Sequence, residues 1–189
     1  MKLRRGFKSE ANAYSREFRA ELGLKPHKPL NPWLLADHLA IPVFSLSDFK
    51  EQIPDAIDYL TKRDLDSFSA ATVFLSKYER LIVNNDAHHP RRQASNLAHE
   101  LSHAILSHPA TPPLDERGLR YFDQEIEDEA NWLAAALLIS EEAAIHIIET
   151  EMEIHDAVER YGVSERLINM RVGVTGARQR AARRKKYRR

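Results

Sequence analysis

The sequence predicts an α+β fold, with helices packed on one small, mostly antiparallel sheet. Three observations lead there. Apolar residues recur at helical spacing, as at Ala11, Tyr14, Phe18 and Leu22. Two short runs, "AATVFL" (70–75) and "RLIVNN" (80–85), are rich in β-branched and aromatic residues. With "SKYE" between them, they read as paired antiparallel strands. Serine, asparagine and proline stand where the remaining helices should open.

Taken in order, "SEANAYSREFRAELG" predicts a helix with Ser9 as N-cap and Gly23 beyond its end. "NPWLLADHLA" predicts a second helix, with Asn31 at the cap and Pro32 in the first turn, where a missing N–H costs nothing. "IPVFSL" is a short extended piece, and residues 48–68 carry a mixed signal. After the two strands, Pro90 opens a long helix that runs to Ser107 or His108, where Pro109 stops it. "PATPPLDERG" is a loop. A further helix covers Asp123 to Leu138, and Ser140 caps the next, from Glu141 to Glu153. "YGVSERLINMRVG" predicts a turn and a short helix capped by Ser164.

Composition narrows the chemistry. The 189 residues include no cysteine, which excludes disulfides, thiolate metal sites and a cysteine nucleophile. Any metal must be held by histidine and carboxylate. The basic N-terminus lacks an apolar stretch behind it, and no apolar run is long enough to span a bilayer, so a soluble, cytoplasmic protein with no membrane partner is expected. The net charge of +0 hides an asymmetry: "RQRAARRKKYRR" (178–189) holds eight Lys/Arg, leaving 20 basic against 28 acidic residues in the body. Such an end is either solvated and disordered or a contact for nucleic acid or an acidic partner.

The chemistry centres on "NLAHELSH" (96–103). Residues four apart on a helix share a face, so His99 and His103 can aim ring nitrogens at one ion. Glu100, rotated by roughly 100° from His99, need not bind the ion but can reach a water on it. This is the logic of two metal ligands plus a general base. A catalytic site of this kind needs a third protein ligand. His108 does not fit: it is nine residues after His99, it would point away from it if the helix continued, and Leu106 stands where a helix-breaking glycine would be needed. His88 and His89 precede the helix and are expected to be solvated. The helix "EIEDEANWLAAALLIS" offers Glu127, on a stripe with Ala130, Asn131, Ala134 and Leu138; Glu125 and Glu129 point elsewhere and are expected to be solvated. Either Glu127 completes a His2Glu site, or these acids only favour the helix N-terminus through its dipole.

On "RRQASNLAHELSHAILSH" followed by "EIEDEANWLAAALLIS", the chain resembles the ImmA/IrrE metallo-endopeptidases. The family pattern is an H-E-x-x-H helix, then a helix with E-x-x-x-N leading into an Ala/Leu-rich run. The asparagine matches Asn131. The resemblance therefore implies a zincin-like fold, with His99, His103 and Glu127 as ligands of Zn2+ (Mn2+ being the alternative ion) and Glu100 as general base. "RLIVNN" is similar to the family's strand before the zinc helix. The resemblance covers residues 10–140, with an echo in "YGVSERLINMR", where the family often carries a helix-turn-helix-like segment. With it, the chain divides into a metallopeptidase domain over 1–140 and a helical, helix-turn-helix-like segment over 141–177, and the charge run adds a basic, disordered tail over 178–189. Two departures are visible: Ile139-Ser140 replaces the family's usual Met-Pro, and Ala94 or Ser95 stands where an aromatic is common.

Asn131, one turn after Glu127, is expected to be buried and to hydrogen-bond near the ligand carboxylate or the zinc helix. Tyr121 and His108 are candidates for stabilising an oxyanion. The resemblance further implies cleavage of a helix-turn-helix repressor of the XRE type, in a stress-response or transcriptional setting. The competing expectations are a non-catalytic metal-binding regulator and a toxin-antitoxin component acting by protein or DNA binding.

Overall fold

The computed structural model describes residues 2–76, 79–109 and 123–187. Helix α1 (Phe7–Glu21) starts two residues before the expected Ser9 cap, because Phe7 is itself a core residue and Gly6, at φ 85, turns the chain into it. Helix α2 (Pro32–His38) has the expected cap, with the Asn31 side chain accepting from Trp33 N. Strand β1 (Val43–Ser45) follows, then α3 (Pro54–Asp58), β2 (Ala70–Phe74) and β3 (Arg80–Asn84).

The sheet order is β1-β3-β2. β2 and β3 pair antiparallel as expected, with Thr72 opposite Ile82. β1 runs parallel to β3, with Val43 opposite Ile82, so the sheet is mixed, its longer pairing being the antiparallel one. Parallel neighbours need a crossover of a dozen or more residues. The stretch of mixed signal supplies it, carrying the chain past the β3 position to the outer strand β2.

Helix α4 (Pro90–Ile105) carries the motif, and α5 (Gln124–Leu138) packs along it. Phe7, Leu35, Ile82, Leu97, Leu101 and Leu133 form the core that joins sheet, α1, α4 and α5. Helices α6 (Glu141–Glu149), α7 (Ile154–Tyr161) and α8 (Glu165–Val174) share a second core with α5 through Leu138, Ile139, Ile145, Tyr161 and Ile168. The expected boundary at residue 140 therefore has core packing on both sides of it. Ser140 caps α6 as expected: its hydroxyl accepts from Ala143 N at 2.9 Å and donates to Pro26 O at 2.7 Å.

The C-terminal end of α5 is gripped by two fully buried arginines. Arg19 donates to Leu137 O at 2.7 Å, and Arg171 donates to Ile139 O at 2.8 Å. Cations are favourable beside the carbonyls that end a helix. Burial lowers both guanidiniums to about 10, which leaves them charged at neutral pH.

The basic segment expected to be disordered is a helix, α9 (Ala177–Tyr187). Ala177 and Ala181 are buried, and Arg180 and Arg184 pair with Glu141 and Glu149 of α6. The apolar face and the acidic partners lie far off in sequence, so the charge run alone reads as a free end. Among the described residues no single helix is long and apolar enough to cross a membrane.

Candidate metal centre

Helix α4 opens at Pro90, with His89 capping Arg91 N. It buries Ala94, Leu97, Ala98, Leu101 and Ser102, and leaves His99, Glu100 and His103 half-buried along one side. α5 brings Glu127 to the same place. His99 Nε2 lies 3.1 Å from His103 Nε2 and 3.2 Å from Glu127 Oε2, and His103 Nε2 lies 3.6 Å from Glu127 Oε1. For a tetrahedral ion with bonds of roughly 2.0–2.2 Å, neighbouring donors stand about 3.3–3.6 Å apart. The three donors span that spacing, and they form the one potential metal-binding cluster found among the described residues. The residues present fit a divalent metal ion.

The electrostatics agree. Burial opposes charge on His99, but its hydrogen bond to the Glu127 carboxylate and the charges of Glu100 and Glu127 outweigh it and raise its pKa. His103 is pushed down by burial and by His99 beside it. Glu127 thus favours positive charge at His99, where a cation would sit, and burial favours the neutral form of His103, the form in which imidazole ligates.

Glu100 is outside the converging set. Its Oε2 accepts from Thr72 Oγ1 of β2 at 2.7 Å. Sequence reasoning missed Thr72, and no motif could have revealed it, since the contact depends on how the outer strand lies over α4.

Several expectations are corrected. Asn131 is exposed rather than buried. Its spacing does put it on the ligand's side of α5, but that side is open at the cleft. Its amide is near enough to favour the charged form of His99, yet His99 Nδ1 has no aligned hydrogen-bond partner among the described residues. His88 is buried rather than solvated: its Nε2 meets Leu65 O at 2.7 Å and its Nδ1 meets Asn96 at 3.2 Å, which ties the crossover to α4. Glu129 is largely buried and paired with Arg4 at 3.0 Å, whereas Glu125 is exposed as expected. α4 ends at Ile105, before the expected Ser107, and His108 folds back against His103 instead of pointing away. Tyr121 lies outside the described residues.

A zincin-like α+β scaffold whose donors already stand at ligand spacing is the framework of a metallopeptidase, and the chain is of that class. The family model of the IrrE N-terminal-like domain (Peptidase_M78) matches residues 36–172, and the chain belongs to that family. The match runs from α2 through α8, across both cores. No curated protein matches the chain.

Proposed function

We propose that this chain is a zinc-dependent endopeptidase that hydrolyses a peptide bond in a helix-turn-helix repressor of the XRE type. The observation that carries the reading is the division of labour at the site: three donors converge on one point, while Glu100 stands beside them and is held by a strand. His99, His103 and Glu127 hold the ion, with manganese as the alternative to zinc. When bound, the ion supplies Lewis acidity, making a water nucleophilic near neutral pH and polarising the scissile carbonyl. Glu100 takes the proton of the attacking water and returns it to the leaving amine. Thr72 occupies one Glu100 oxygen and leaves the other for that transfer. The outer position of β2 suits an extended substrate added as a further strand, which would pass Thr72 and so lie beside Glu100. The family resemblance supports the substrate class, and a repressor substrate places the action in the cytoplasm.

The test is cleavage of XRE-type helix-turn-helix repressors from the same organism, with metal content measured on the same samples. Glu100→Gln should keep its metal and lose about 10²–10⁴-fold in rate. Wild-type cleavage by the metal-loaded variant would overturn the mechanism.

The second reading is a regulator or toxin-antitoxin component that binds protein or DNA without cutting. The exposed cations of α9, such as Arg178, Arg183 and Lys186, favour it. It predicts DNA affinity that falls with salt and is weakened by deleting residues 178–189.

A further inference from the structure

We infer that His108 is a positioning residue that fixes the tautomer and aim of the metal ligand His103. The inference rests on the metal-centre reading but not on peptidase activity.

His108 does not join the converging donors. It sits directly behind one of them, with its Nδ1 2.9 Å from Nδ1 of His103. Two neutral imidazoles in such contact need one donor and one acceptor. His103 must present the Nε2 lone pair to bind an ion at the site, so its proton belongs on Nδ1. His103 Nδ1–H then donates, and His108 Nδ1 accepts. The His108 proton is thereby assigned to Nε2, which faces Glu129 Oε2 at 3.9 Å, an electrostatic contact rather than a hydrogen bond. Glu129 is in turn fixed by Arg4 Nε at 3.0 Å, and Arg4 is braced by both Glu10 oxygens at 2.7 Å. The directional link to the ligand is the His108–His103 hydrogen bond, and Glu129, fixed by Arg4, adds a favourable charge behind it.

The backbone carries independent support. The chain leaves α4 through Ser107, a non-glycine residue at φ 53, and His108 N donates back to His103 O at 3.0 Å. This left-handed closure satisfies a carbonyl at the helix end, as Ala40 and Glu151 do at theirs. Here the turn returns His108 to the ligand from which continued helix would have carried it away.

The experiment measures zinc affinity by chelator competition in the full chain, together with the absorption spectrum of the cobalt-loaded protein. His108→Leu keeps the bulk but removes the acceptor; it should weaken zinc binding by about 10–100-fold and alter the cobalt spectrum. His108→Asn returns an acceptor near the Nδ1 position and should recover most of the affinity, which a purely space-filling role would not allow. Folded His108→Leu with wild-type affinity and spectrum would overturn the inference. If His108→Leu does not fold, nitrogen NMR of the zinc-loaded wild type decides: His103 bound through Nε2 with a protonated Nδ1 supports it, and binding through Nδ1 overturns it. Failure of the wild type to bind zinc at all would instead strike the metal-centre reading beneath it.

Discussion

From Gln124 to Asn131, α5 is polar and its side chains are largely exposed or half-buried, with Glu127 among them; from Trp132 to Leu138 every residue is buried. The polar end meets imidazoles and a cleft. The apolar end meets Leu97 and Leu101 of α4, the helices after Ser140, and the buried arginines at its last carbonyls. The difference shows how a half-solvated ligand is held still. A helix rises about 1.5 Å per residue and is stiff over such lengths, so anchoring Leu133 sets the place of Glu127 roughly 9 Å away. The ligand end can then keep the polarity its chemistry needs without contributing much to stability.

The sharpest test removes the ligand and leaves the anchor. Glu127→Ala should abolish stoichiometric metal binding, while the unfolding free energy of the metal-free protein falls by only about 1 kcal/mol, the loss of the hydrogen bond with His99. Full metal retention would point to Glu125 or Glu129 as ligand. The complementary change, Leu133→Ala, should cost about 2–5 kcal/mol in denaturant unfolding, because a fully buried side chain is replaced by a cavity. Its folded fraction should still bind one ion per chain. A Leu133→Ala protein of unchanged stability would break the contrast.

Smaller effects sharpen it at the junction beyond α5. Ser140→Ala removes the cap of α6 and leaves Pro26 O without its donor, and should cost roughly 1–3 kcal/mol. The smallest effect concerns α9. The Arg180 hydrogen bond holds the Glu141 carboxyl below its ordinary 4.5, against an opposing contribution from burial. A depressed carboxyl stabilises the fold above its unfolded pKa and loses that contribution as pH falls through the lower folded value. Amide exchange in α9 should therefore accelerate as pH drops below about 4.5, after correction for intrinsic rates, and Arg180→Ala should reduce that pH dependence, Arg184–Glu149 carrying the rest.

Much of this was legible before folding because it is local. Asn31, Ser140 and Ser164 act as caps as expected, since a cap bonds backbone two or three residues away. His99 and His103 converge because residues four apart share a helical face, and that holds wherever the helix lies. The acidic start and apolar finish of α5 likewise stand in the sequence, and helical spacing sets Glu127 apart from Glu125 and Glu129, though its role as ligand was assigned only with the help of a family resemblance. What needed tertiary structure depends on partners distant in sequence. The parallel pairing of β1, the burial of His88 and the docking of α9 each answer to a surface made elsewhere in the chain. Asn131 misled because helical spacing gives the side of α5 but not what faces it. Thr72 reached Glu100 across a strand–helix contact, and His108 reached His103 through a left-handed serine. Spacing along one helix is set by its own backbone geometry, whereas these contacts exist only once separate elements have packed, so only the fold could decide them.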